Sequence, residues 1–222
     1  MPHLYYITNR QAFSGSESSR QQQLLEKIKE AAAAGVHYIQ LREKDLSARD
    51  LENLARAAIQ TIKTAQLETG SPQLKTKLLI NSRTDIAIAA GADGVHLRSN
   101  DISPEEVRTI LSRNSNPETR NLLIAVSCHT LEDVRQASQQ NADFAVLAPI
   151  FGKEVSDGKE SQIPLGLDAL KTACAGKIPV LALGGVTAEY ARACLNAGAA
   201  GIAGIRMFQE NYIQDAVQKL CS

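Results

Sequence analysis

Four short stretches of the chain carry side chains that could do chemistry. In "QLREK" the amide of Gln40 alternates with the cations of Arg42 and Lys44. At an extended strand end alternate residues point the same way, so this run can offer an amide and two positive charges to one ligand. The same run also reads as a solvated charged loop. In "INSR" and "LRSND", Asn81, Ser82 and Arg83 follow one apolar run, and Arg98, Asn100 and Asp101 follow the next. Two neighbouring strand ends dressed this way suggest a binding site. One position is odd: where a metal site would want a carboxylate beside Asn81, the chain has Ser82. In "AVSCHT", His129 is the acid/base candidate among the four histidines, because imidazole titrates near neutrality. His96 falls inside an apolar run and reads as a hydrogen-bonded core residue, His37 as part of the wall, and His3 as terminal. Cys128 alternates with His129 and faces away from it, so a Cys–His nucleophile pair is not expected. In "LALGGVT", Gly184 and Gly185 let backbone N–H groups approach a phosphate at the start of a helix. A plain tight turn would use the same pair. A second such nest lies in "GIRMF", at Ile205 and Arg206.

These residues need a scaffold, and 222 residues suffice for one α/β barrel. Hydrophobic residues make up 44% and charged residues 22%, with Lys+Arg and Asp+Glu balanced at 24 each. A neutral chain has no bulk attraction to nucleic acid or an anionic membrane, so any phosphate site must be local. Cys128, Cys174, Cys194 and Cys221 show no CxxC pair or metal-ligand spacing, so free thiols are expected. The start "MPHLYYITNR" lacks a signal-peptide pattern, and the apolar runs are too short to cross a bilayer. The expected location is cytoplasmic.

Eight short aliphatic runs read as buried strands: 4–8, 37–41, 77–81, 94–97, 122–127, 144–148, 179–184 and 201–205. Amphipathic helical patterns lie between them. Ser47 and Ser103 are expected N-caps, with Asp50 and Glu106 three residues on. The phrases "AAAAGVHYIQL", "AAGADGVHL", "QQNADFAVLA" and "NAGAAGIAGI" repeat one motif of helix end and strand entry, and Gly35, Gly91 and Gly198 act as helix stops. The expectation is an α/β fold, a single-domain (β/α)8 TIM barrel over residues 1–222. An open doubly wound sheet is the alternative, but no GxGxxG follows the first strand. "LETGSPQLKT" and "SRNSNPETRN" are expected to pad the non-catalytic end. The stretch 150–166, with Lys153, follows a strand and is expected to be a mobile active-site loop. Function should gather at the C-terminal strand ends. There the cations Arg10, Arg42, Lys44, Arg83, Arg98, Lys153 and Arg206 suggest an anionic ligand, phosphate above all.

The stretches "YYITNR", "GVHYIQLREK", "LLINSRTDIAIAAGADGVHL", "VSCHT", "LAPIF", "LALGGVT" and "NAGAAGIAGI" occur in the order found in the thiamine-phosphate synthase/TenI family. The chain resembles that family over nearly its whole length. The resemblance implies a (β/α)8 barrel and one of two activities. The synthase joins hydroxymethylpyrimidine diphosphate to a thiazole phosphate, expels pyrophosphate and uses Mg²⁺. The TenI-type tautomerase moves protons on a thiazole phosphate and needs no cofactor.

By the same resemblance, Gln40, Arg42, Lys44 and Asn81 match residues that hold the pyrimidine diphosphate, and Asp101 matches one magnesium carboxylate. Ser127 matches a residue near the diphosphate and Gly185 a thiazole-phosphate glycine. The chain departs from the synthase pattern at Ser82, at the loop carrying Lys153 and Ser156, and at Arg206. These departures weaken a diphosphate and Mg²⁺ site but spare a phosphate anchor and a proton shuttle. The expectation is therefore a TenI-like thiazole tautomerase. His129 would be catalytic, and Gly184, Gly185, Ile205, Arg206 and Lys153 would hold the phosphate. The synthase is the second reading and a non-catalytic phospho-ligand-binding regulatory barrel the third. The expected partner is a small-molecule thiazole phosphate, with homo-oligomer formation left open.

Overall fold

The computed structural model describes residues 1–69, 75–113, 121–152 and 163–221. Within them the strands are β1 (His3–Ile7), β2 (Tyr38–Leu41), β3 (Lys77–Asn81), β4 (Gly94–Leu97), β5 (Leu123–Cys128), β6 (Phe144–Leu147), β7 (Val180–Ala182) and β8 (Gly201–Gly204). Each pairs in parallel with the next, and β1 pairs with β8, so the sheet closes into an eight-stranded barrel. The expected (β/α)8 architecture is the one observed. The helices are α1 (Glu17–Ala33), α2 (Ala48–Thr69), α3 (Thr84–Ala90), α4 (Pro104–Arg113), α5 (Leu131–Gln139), α6 (Gly166–Cys174), α7 (Ala188–Asn196), the short α8 (Arg206–Gln209) and α9 (Ile213–Cys221).

Because every strand is buried on both faces, two cores form. The larger lies between sheet and helices and includes Leu24, Ile28, Ile39, Leu54, Ile80, Leu97, Ile124 and Leu147. The smaller fills the barrel interior with Tyr5, Ile7, Leu79, Ala125, Phe144, Val146, Leu181 and Ala203. Tyr38 stacks on Phe144 at 4.9 Å between centroids, and Tyr5 meets both rings edge-on. This aromatic layer plugs the barrel, as side-chain layers do in folds of this kind.

Local chemistry sets the helix ends. Ser47 and Ser103 accept the amides of Asp50 and Glu106, at 3.2 Å in both cases, as the spacing predicts. Gly35, Gly91 and Gly198 all have positive φ. The repeat "QQNADFAVLA" lacks glycine at this point, and Asn141 takes the left-handed conformation instead, with φ 60°. "LETGSPQLKT" and "SRNSNPETRN" fall on the α2–β3 and α4–β5 connections, which is the N-terminal side of the strands. Residues 70–74 and 114–120 of them lie outside the described residues.

Candidate active site

At the rim of β2, β3 and β4 the predicted side chains join into one hydrogen-bonded chain. Gln40, buried on β2, donates from Nε2 to Asn81 Oδ1 at 2.9 Å. Asn81 Nδ2 donates to Ser82 Oγ at 3.1 Å. The Ser82 hydroxyl in turn hydrogen-bonds Asp101. Arg98 closes the run, giving its amide to Asp101 Oδ2 at 2.8 Å and Nη2 to Oδ1 at 2.8 Å. Burial pushes the Asp101 carboxyl up, but the donors from Arg98 and Ser82 outweigh it and hold the group below its ordinary range. Ser82 has φ 60°, a left-handed backbone that serine adopts seldom and that Asp and Asn tolerate better. Its amide is held there by His96 O at 2.8 Å.

Not every strand-end cation is available to a ligand, and here the structure corrects the sequence. Arg10 is buried and satisfied internally, by Glu17 at 2.7 Å, Glu43 at 3.2 Å and Asp45 at 2.6 Å. Glu43, also buried, takes Thr8 Oγ1 at 2.5 Å. This network splints the β1 and β2 ends together. Arg83 pairs with Asp85 at 2.6 Å, and Arg98 with Asp101 at 2.8 Å. Arg42, Lys44 and Arg206 carry no ion pair among the described residues. Lys44 is held below its ordinary value, first by the charge of Arg42, then by burial and by Arg98. Arg42 and Lys44 therefore share one region of the mouth, and their mutual repulsion is relieved by a bound anion.

Below the rim, Tyr5 on β1, His96 on β4 and Ser127 on β5 form a second chain across the interior. Tyr5 Oη lies 2.9 Å from His96 Nδ1, and His96 Nε2 lies 2.8 Å from Ser127 Oγ. Burial, then the charge of Arg42, pushes the His96 imidazole down to about 3, so it is neutral at physiological pH. The core role expected for His96 is what the geometry shows. No local pattern signals that its partners are Tyr5 and Ser127.

The other half of the mouth is built largely from backbone. The exposed His129 gives its amide to Asp133 Oδ2 at 2.7 Å, and Asp133 completes a capping box with Thr130 at the start of α5. His129 Nδ1 lies 2.9 Å from Ala148 O. A carbonyl only accepts, so Nδ1 bears a proton, and in the neutral ring Nε2 is the nitrogen with the lone pair. Cys128 is buried on the opposite side, and burial pushes its thiol up to about 12, consistent with the expected exclusion of a Cys–His pair. Past β6, Ile150 and Phe151 donate their amides to Leu183 O and Gly184 O, each at 2.9 Å. Gly184 and Gly185 have φ 89° and 65°. A Cβ on Gly184 would lie 2.7 Å from Pro149 Cα, and one on Gly185 2.7 Å from Phe151 O. Only glycine fits both the turn and the approaching chain. The amides of Gly185 and Val186 find no acceptor among the described residues and precede α7, capped by Thr187. Phe151 stacks on Tyr190 of α7 at 4.8 Å, a contact the sequence did not signal. Ile205 is the N-cap residue of α8 and the exposed Arg206 its first residue. Lys153, with positions 153–162 of the predicted mobile loop, lies outside the described residues.

Among the described residues no group of three or more His, Cys, Asp and Glu is arranged to hold a metal ion. Asp101 is the one carboxylate in its chain and is already paired with Arg98. This does not fit a resident, protein-only magnesium site. An ion here would need substrate phosphates and water for most of its shell.

Known proteins agree with this architecture. The family profile TMP-TENI, described as thiamine monophosphate synthase, matches residues 4–208. The chain is 39% identical over 211 residues to "Putative thiamine-phosphate synthase 2" of Aquifex aeolicus (strain VF5), covering 95% of this chain and 99% of that protein. It is 33% identical over 201 residues to "Thiamine-phosphate synthase" of Roseiflexus sp. (strain RS-1), covering 90% of this chain and 75% of that one. Among solved structures it is similar to thiamine phosphate pyrophosphorylase from Pyrococcus furiosus, with TM-score 0.75, 26% identity and coverage of 99% and 93%. A 3-hexulose-6-phosphate synthase, at TM-score 0.61 and 15% identity, shares the fold. Both sequence relatives are named synthase and none of these names carries tautomerase, so the sequence-based preference for the tautomerase is not matched by them. The chain is a thiamine-biosynthesis enzyme belonging to the thiamine monophosphate synthase family.

Proposed function

We propose that the protein is a thiamine-phosphate synthase, joining hydroxymethylpyrimidine diphosphate to a thiazole phosphate with loss of pyrophosphate. One observation carries this reading. Among the described residues, Arg42 and Lys44 stand without internal counter-ions beside the chain Gln40–Asn81–Ser82–Asp101. A tautomerase acting on a monophosphate has no use for this second anionic site.

In the reaction, the bond from the pyrimidine methylene to the diphosphate oxygen breaks, and a bond from that carbon to the thiazole nitrogen forms. Negative charge gathers on the leaving pyrophosphate. Arg42 and Lys44 stabilise that charge, with the Ser127 hydroxyl beside them. Fixed charge of this sort contributes most where it is preorganised and partly shielded from water. The Gln40 and Asn81 amides orient the pyrimidine end. The thiazole phosphate takes the amides of Gly185 and Val186 and the cation Arg206.

The test is an assay of purified protein with both substrates and Mg²⁺, read as thiamine phosphate formed. Absence of product, with proton exchange on the thiazole phosphate carboxylate instead, would reverse the assignment. That second reading has its own support in the free lone pair on His129 Nε2.

A further inference from the structure

We propose that the Tyr5–His96 pair is a positioning device that forces the Ser127 hydroxyl to donate toward the barrel mouth. The proposal rests on the reading of Ser127 as a diphosphate contact, and it names what makes that contact effective. Tyr5 is fully buried, and among the described residues its hydroxyl has one partner, His96 Nδ1 at 2.9 Å. A buried O–H needs an acceptor. If Nδ1 carried the imidazole proton, it would donate to Tyr5, and the Tyr5 proton would have nowhere to go. So Tyr5 donates, Nδ1 accepts, and the single proton of the neutral imidazole sits on Nε2. Nε2–H then donates to Ser127 Oγ at 2.8 Å. Ser127 must accept there, and its own proton is left to point elsewhere. No acceptor for it is found among the described residues, and Ser127 is half-buried beside His96, which feels the charge of Arg42. A ligand oxygen at the mouth is the partner that fits. Two buried side chains that touch no ligand thereby turn a freely rotating hydroxyl into a fixed donor.

Two measurements test this. The first is the ¹⁵N spectrum of the His96 ring in the ligand-free protein at neutral pH. The Nε2–H tautomer is expected; an Nδ1–H tautomer or an imidazolium overturns the proposal. The second is pyrophosphate affinity by calorimetry. Ser127→Ala and His96→Leu should each weaken binding about tenfold, the loss expected for one donor to a charged acceptor, and the double variant no more than either. Losses that multiply in the double variant overturn the proposal. His96→Gln keeps an N–H for Ser127 and an oxygen for Tyr5, so it should stay within about threefold of the parent. Tyr5→Phe, which keeps the packed ring, should mix the two tautomers; an unchanged spectrum sinks the role given to Tyr5. Failure of the parent protein to bind pyrophosphate would count against the synthase reading, while the tautomer would still decide the direction of this chain.

Discussion

The two halves of the barrel mouth are built from different materials. From β2 to β5 the site is side chain: Gln40, Asn81, Ser82 and Asp101 bond in series, with Arg42 and Lys44 beside them and His96 beneath. From β6 to β8 it is, among the described residues, mostly backbone: paired glycines against an incoming chain, amides without an acceptor and one exposed cation. Side chains can grip a diphosphate from several directions with fixed charge. Amides at a helix start suit a monophosphate, whose smaller charge needs fewer fixed cations. The division matches two phosphorylated substrates of unequal charge.

The comparison can be broken experimentally. Arg42→Ala should cost the most, lowering kcat/KM for the pyrimidine diphosphate about a hundredfold. Binding of the thiazole phosphate and the melting temperature should hardly move; equal losses for both substrates would erase the division.

Next comes the pH dependence of stability. His96 titrates at about 3 when folded, against an ordinary 6.5. Between those values the unfolded chain binds a proton that the folded chain does not, so acidification favours unfolding. Urea denaturation at about pH 7 and about pH 5 should show a loss of about 2 kcal/mol that His96→Gln lacks. An equal loss in the variant would mean that another group governs this window.

On the backbone side, Gly185→Ala meets both a positive φ and a 2.7 Å approach to Phe151 O. About 1.5 kcal/mol of stability should be lost, seen as a fall in melting temperature of about 5 °C. KM should rise for the thiazole phosphate alone. The smallest effect is expected at Ser82→Asp. Its left-handed backbone tolerates aspartate, and a second carboxylate beside Asp101 should lower the Mg²⁺ midpoint about tenfold. An unchanged midpoint would remove Asp101 from the ion's surroundings.

The side-chain half was legible in the sequence because alternation along a strand fixes which residues share a face. Gln40, Arg42 and Lys44 could be grouped on that basis, and the strand runs matched the observed strands closely. The backbone half was legible only as "GG". Which chain approaches those glycines depends on the β6–β7 pairing, which no local pattern encodes. Arg10 misled for a similar reason. It counted as a ligand cation until the β1 and β2 loops were placed together, when Glu43, 33 residues away, proved to be its partner. The pairing of Tyr5 with His96 spans 91 residues and was equally hidden. Ser82 drew the sequence reading toward the tautomerase, because one missing carboxylate was visible, whereas which strand-end cations are paired internally depends on how the loops are placed.

Tyr5 and His96 also set a limit on transplantation. Moving the mouth loops of this barrel onto another scaffold would carry over the groups that meet the ligand and leave behind the interior pair that aims one of them. The portable unit is the set of loops together with one layer of the interior. A mutational survey confined to the rim would pass over a tyrosine on the first strand on which the donor at the fifth depends.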